Sequence, residues 1–142
     1  MTGISKLCEE HRKLEALAEQ MLRIVAAPVA DAAAVATLRW RLAQALLDHC
    51  AVEDSGIYDR LLASGDAVAT AIAWRYRQEF GALGAAYAHF ISDWPVDRIN
   101  RNWIGFRADT EVMMGKLAAR ILCEEQELYA HVERVEMRRR AA

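Results

Sequence analysis

The sequence predicts an all-α protein built as an antiparallel up-down-up-down four-helix bundle. Its only two prolines, Pro28 and Pro95, lie in stretches that read as turns. Strong helix formers, Ala, Leu, Glu, Arg and Met, fill the remainder, with no alternating strand pattern. Four long segments each carry one inward seam in alternating three- and four-residue steps. A chain of 142 residues, 54% of them hydrophobic, fits one domain over residues 1–142 and can bury a core without disulfide staples.

Helix A reads from about Ser5 to Ala27, with Glu9 and Glu10 near its positive end and Pro28 stopping it. Its seam is Ile4, Leu7, His11, Leu14, Ala18, Met21 and Val25. Asp31 caps helix B, which runs to about Ala63 before Ser64 and Gly65 close it. That seam is Val35, Leu38, Leu42, Ala45, His49, Glu53, Gly56 and Arg60. Asp66 caps helix C, ending near Ser92, with Ala69, Ala73, Tyr76, Phe80, Leu83, Tyr87 and Phe90 inward. Helix D starts between Asp97 and Trp103 and runs to the basic tail at Arg138, Arg139 and Arg140. It turns Ile99, Trp103, Phe106, Thr110, Met113, Leu117, Arg120, Glu124, Glu127 and His131 inward. Trp40 and Trp74 lie off these seams, either as a packing or dimer surface or as the margin of a broader apolar face.

Composition excludes several functions. A formal net charge of −2 and a pI near 6.1, with basic residues scattered except at the tail, give no nucleic-acid face. The N-terminal MTGISKLCEEHRK lacks a signal-type apolar run and no segment is a membrane span, so a cytoplasmic protein, monomer or homodimer, is expected. Cys8, Cys50 and Cys123 are odd in number and lack CxxC spacing, so reduced thiols are the default. They read as small buried apolar groups, with a thiol redox sensor or a mixed thiolate and imidazole zinc site as alternatives. Neither a nucleophile–base constellation nor a phosphate loop is present, so no enzyme is expected.

The polar seam positions carry the chemistry. HCAVEDSGIY at 49–58 returns in altered form as RILCEEQELY at 120–129. Residues i and i+4 share a helix face, so His49 pairs with Glu53 and Arg120 with Glu124. A nitrogen and a carboxylate so placed suit one metal, but the second copy has lost its nitrogen ligand. Residues on successive antiparallel helices share a level when the turn lies midway between them. The midpoints of His11 and His49, of His49 and Phe80, and of Phe80 and Arg120 all fall in predicted turns. His11, His49, Phe80 and Arg120 therefore form one layer, with Glu53 and Glu124 a turn away.

These residues resemble the hemerythrin-like, or HHE cation-binding, family, from EEHRKL at Glu9 to Leu14 through QELYAHV at Gln126 to Val132. The resemblance implies a bundle with histidines from all four helices and bridging carboxylates from B and D around a di-iron centre. Members carry or sense oxygen, store iron, or repair nitrosatively damaged iron–sulfur centres. The last group has a Trp seventeen residues before the helix D histidine, and Trp103 stands so before Arg120 (120 − 103 = 17). His11, His49, Glu53 and Glu124 match the family's ligands, whereas Phe80 and Arg120 replace the C and D histidines and cannot ligate. On this reading Phe80 fills space, Arg120 offers its fork to Glu53, Glu124 or both, and the core is metal-free. The expected function is a non-catalytic binding, sensory or regulatory module with a protein partner. The alternative is a metal-binding protein holding a single zinc or iron ion, or a noncanonical di-iron site, in metal, oxygen or nitrosative-stress sensing or storage.

Overall fold

The computed structural model describes residues 2–141, without the side chains of residues 2, 80 and 81. Helix α1 spans Thr2–Ala26 and α2 spans Ala32–Glu53; a π-turn at Asp54–Tyr58 leads into α3, Asp59–Leu62. Helix α4 spans Ala67–Asp93, α5 is the short Val96–Arg101, and α6 runs Trp103–Cys123. A second π-turn at Glu124–Leu128 continues into α7, Tyr129–Ala141. The four rods are thus α1, α2 with α3, α4, and α6 with α7, and no strand occurs among the described residues.

The predicted caps form. Asp31 accepts from Ala34 N at 3.1 Å, and Asp66 accepts from Val68 N at 2.9 Å and Ala69 N at 3.0 Å. Gly65 takes φ of 77°, the left-handed conformation that lets the chain reverse before Asp66. The last rod is broken where the sequence left its start open. Asn102 ends α5 and caps α6 by accepting from Gly105 N at 2.9 Å. A Cβ on Gly105 would meet the Asn102 side chain at 2.4 Å, so this cap requires glycine there.

The first, second and fourth seams are buried as predicted up to Glu53 and Glu124, save for the half-buried Ala18 and Ala45, and there the pattern departs. Beyond Glu53 the buried residues are Ile57, Tyr58 and Leu61, not Gly56 and Arg60; beyond Glu124 they are Leu128, Tyr129, Val132 and Val135, not Glu127 and His131. A π-turn adds one residue to the helical turn, so every inward position after it moves one place along the chain. Each copy of the repeated motif contains such a turn.

Two apolar clusters flank the polar layer. One packs Leu14, Met21, Leu42, Leu83, Phe106 and Leu117 with their neighbours towards the α1–α2 turn. The other packs Ile4, Leu7, Ile57, Leu61, Tyr76, Leu128 and Val132 at the opposite end. Between them His11, His49, Glu53 and Glu124 are each 0% exposed. Trp103 belongs to the first cluster, its indole donating to Ala27 O at 2.7 Å, and Arg107 reaches the same carbonyl at 3.0 Å. Trp40 and Trp74 are exposed. No helix among the described residues is long and apolar enough to cross a membrane.

Candidate metal centre

Three elements converge on the centre: α1 brings His11, α2 brings His49 and Glu53, and the turn after α6 brings Glu124. Ligand atoms from these four residues lie within 4.8 Å of one another. His11 Nε2 is 3.0 Å from His49 Nε2, 3.1 Å from Glu124 Oε1 and 3.1 Å from Tyr129 Oη. An imidazole nitrogen carries one hydrogen or one lone pair, so it can satisfy only one of these three neighbours. Donors about 2.1 Å from one ion and at right angles lie about 3 Å apart, so this crowding is the spacing of groups around a shared cation. His49 Nε2 also meets Glu53 Oε1 and stands 3.8 Å from Glu124 Oε1. The second oxygens, Glu53 Oε2 and Glu124 Oε2, are buried without a hydrogen-bond partner among the described residues.

The opposite edges of both imidazoles are fixed. Glu10 Oε1 lies 2.8 Å from His49 Nδ1, and Glu125 Oε1 lies 3.2 Å from His11 Nδ1. Arg12 holds Glu125 in turn at 2.5 Å. A carboxylate only accepts, so each Nδ1 carries the hydrogen and each Nε2 faces the centre. Carboxylates behind histidines in this way orient metal ligands and make them more basic.

The metal-free chain balances its buried charge with protons. Burial disfavours the His49 imidazolium, but hydrogen bonds with Glu124 and Glu53 outweigh it and hold the group up at about 10. Burial pushes the Glu53 carboxyl up, with the nearby Glu124 charge adding to the effect. Glu124 goes the other way: burial opposes ionisation, yet hydrogen bonds from His11 and His49 hold it down. Two carboxylates at such distance cannot both carry full charge easily, so the shifts part. An ion bound here would displace the His49 proton.

Arg120 stands in the layer but forks elsewhere than predicted. Its NH1 donates to Glu79 Oε2 at 2.7 Å and its NH2 to Tyr76 O at 2.6 Å, with the guanidinium 4.4 Å from the centroid of the Tyr76 ring. Towards the centre its Nε is 4.0 Å from Glu124 Oε2, an ion pair beyond hydrogen-bond length. The reason is reach: on a helix the residue four places on lies beside the stem of Arg120, while the extended head arrives at α4. The predicted space-filling role of Phe80 falls outside the described side chains.

Sequence reasoning brought His11, His49, Glu53 and Glu124 together correctly, and missed Glu10, Glu125, Tyr129 and Glu79. The signal was adjacency, since Glu10 and Glu125 each neighbour a predicted ligand, and the tyrosine ending both motif copies was in view. Trp103 is seventeen residues from Arg120, about 25 Å along the helices, and touches the end of α1 instead of the centre. The cysteines stand outside the cluster and form no disulfide. Burial pushes Cys50 up to about 12 and also raises Cys8, so neither thiol is activated as a thiolate.

A family model described as the hemerythrin HHE cation binding domain matches residues 2–132. No curated protein and no solved structure matches the chain.

Proposed function

Because the chain belongs to the hemerythrin HHE cation-binding domain family, we propose that it binds a single metal ion through His11, His49, Glu53 and Glu124 and acts as a non-catalytic, sensory or regulatory module. The observation that carries this reading is the pair of imidazoles whose Nε2 atoms face each other at 3.0 Å while Glu10 and Glu125 hold their Nδ1 atoms. A core that only needed packing has no use for two buried imidazoles, each backed by a carboxylate, facing two further buried carboxylates. The second ion of a di-iron centre lacks nitrogen ligands, because Phe80 and Arg120 occupy the family's remaining histidine positions. The bound ion would supply positive charge and Lewis acidity at the centre.

The metal-free reading retains one specific support. With His49 protonated, Glu124 ionised and Glu53 held towards its neutral form, the core closes its charge without a metal. Both states are therefore chemically reasonable, which suits reversible loading, as a sensor requires, better than permanent structural metal.

Elemental analysis decides the matter. Untagged protein purified from iron- and zinc-supplemented cells should carry about one ion per chain, and His49→Ala should carry none. Two ions per chain, or none under ferrous, ferric and zinc loading alike, would overturn the single-ion reading.

A further inference from the structure

We propose that Tyr129 is a fifth ligand of this centre, binding as a phenolate, and that it makes the site selective for ferric iron over zinc. The proposal rests on the single-ion reading and deepens it. Tyr129 is 2% exposed, and its hydroxyl lies 3.1 Å from His11 Nε2 and 3.3 Å from Glu53 Oε1. It therefore stands among the donor atoms, at the same spacing they keep from one another. Its ring lies parallel to the His11 imidazole, with centroids 5.5 Å apart and planes inclined by 16°, which fixes the hydroxyl direction.

The backbone is arranged to put it there. A regular helix continuing from Glu124 would turn residues 127 and 131 inward, whereas the π-turn at Glu124–Leu128 brings Tyr129 to the inner face, five residues on. The other copy supplies the contrast. Tyr58, at the matching motif position, is the last residue of the other π-turn, and its hydroxyl is buried without a hydrogen-bond partner among the described residues.

Charge selects the ion. Glu53, Glu124 and a Tyr129 phenolate would present three anionic oxygens, and with two neutral imidazoles they would neutralise a trivalent cation among buried side chains. A buried site left with net charge is costly. Hard oxygen donors favour ferric iron, and five donors exceed the tetrahedral set that zinc usually takes. On binding, the Tyr129 O–H bond would break, its electron pair would form the iron–oxygen bond, and the proton would be released to solvent together with those that His49 and Glu53 hold in the metal-free fold. Iron enters and remains in the ferric state, so no electron is transferred.

The test loads the full-length protein with ferric iron and, separately, with zinc, then records visible absorption and resonance Raman spectra. Ferric protein should show a phenolate-to-iron charge-transfer band with enhanced tyrosine ring modes. Tyr129→Phe should lose both while keeping iron at reduced affinity, and Tyr58→Phe should keep both. Should Tyr129→Phe fail to fold, ring-deuterated tyrosine in the otherwise unchanged protein must shift the enhanced modes, and Tyr58→Phe, Tyr76→Phe and Tyr87→Phe must leave the band in place. Iron bound without the band, the band surviving in Tyr129→Phe, or zinc bound in preference to ferric iron would overturn the proposal and leave the single-ion site standing. A chain that binds neither metal would overturn both.

Discussion

In the half of the layer built from α1 and α2, Glu10 holds His49 by its Nδ1 at 2.8 Å; in the half built from α4 and α6, Glu79 holds Arg120 by its NH1 at 2.7 Å. Each carboxylate sits one residue before the layer position of its own helix, His11 or Phe80, and reaches across to the next helix. The tyrosines depart from this plan: Tyr129 meets His11 and Glu53, while Tyr58 has no hydrogen-bond partner among the described residues. The supporting carboxylates are therefore common to both halves, whereas the layer residues at 80 and 120 differ in kind. What the difference teaches is that a frame built to orient an imidazole also accommodates a guanidinium. The longer arginine carries its charge outward to Glu79, which is 57% exposed, and leaves the centre to the histidines.

The largest contrast should come from removing the matched nitrogens. His49→Ala leaves Glu53 and Glu124 buried with less positive charge, and breaking such a buried set costs about 3 to 5 kcal/mol. Arg120→Ala loses a half-exposed pair and leaves Tyr76 O short of a donor, about 1 to 3 kcal/mol. Denaturant melts of both variants check this order, and equal losses would mean that Arg120 is as central as His49. The comparison sharpens if the second half is repaired. Phe80→His with Arg120→His should raise bound iron from about one to about two per chain, and a second ion at a hundredfold excess over its Kd adds about 3 kcal/mol. Elemental analysis and melts with and without iron read both numbers.

The carboxylates behind the ligands come next. Glu10→Gln and Glu125→Gln should each weaken metal binding by about 10- to 100-fold, the usual cost of losing such support. Glu79→Gln should leave metal affinity unchanged, and competition titration against a chelator separates the three. The smallest effect expected is on pH dependence. His49 is raised to about 10 in the metal-free fold from an ordinary 6.5. Its contribution is therefore fully present below pH 6.5 and is lost as pH rises through about 10. The raised Glu53 carboxyl acts in the same direction above its ordinary value. Metal-free protein should thus melt several degrees lower at pH 9.5 than at pH 6.5. Metal affinity should rise over the same range because the ion displaces a proton.

The fold was legible because it rests on local periodicity. Burial follows the three- and four-residue seams from Ile4 to Val25 and from Val35 to Glu53, and the aspartate caps form where a short side-chain oxygen precedes a helix. The level of the layer was legible too, since antiparallel rods of fixed rise meet at positions equidistant from their turn. His11 and His49 meet at 3.0 Å for that reason. The sequence alone determined four rods, one polar layer and the four residues His11, His49, Glu53 and Glu124. Tertiary structure decided the rest. A π-turn is a one-residue surplus that no apolar periodicity announces, and it turned Ile57, Tyr58, Leu128 and Tyr129 inward in place of Gly56 and Glu127. Where a long side chain ends is likewise set by what lies across the helix interface. Only the packing of α1 against α2 could direct Glu10 to His49, and only the packing of α4 beside α6 could draw Arg120 to Glu79.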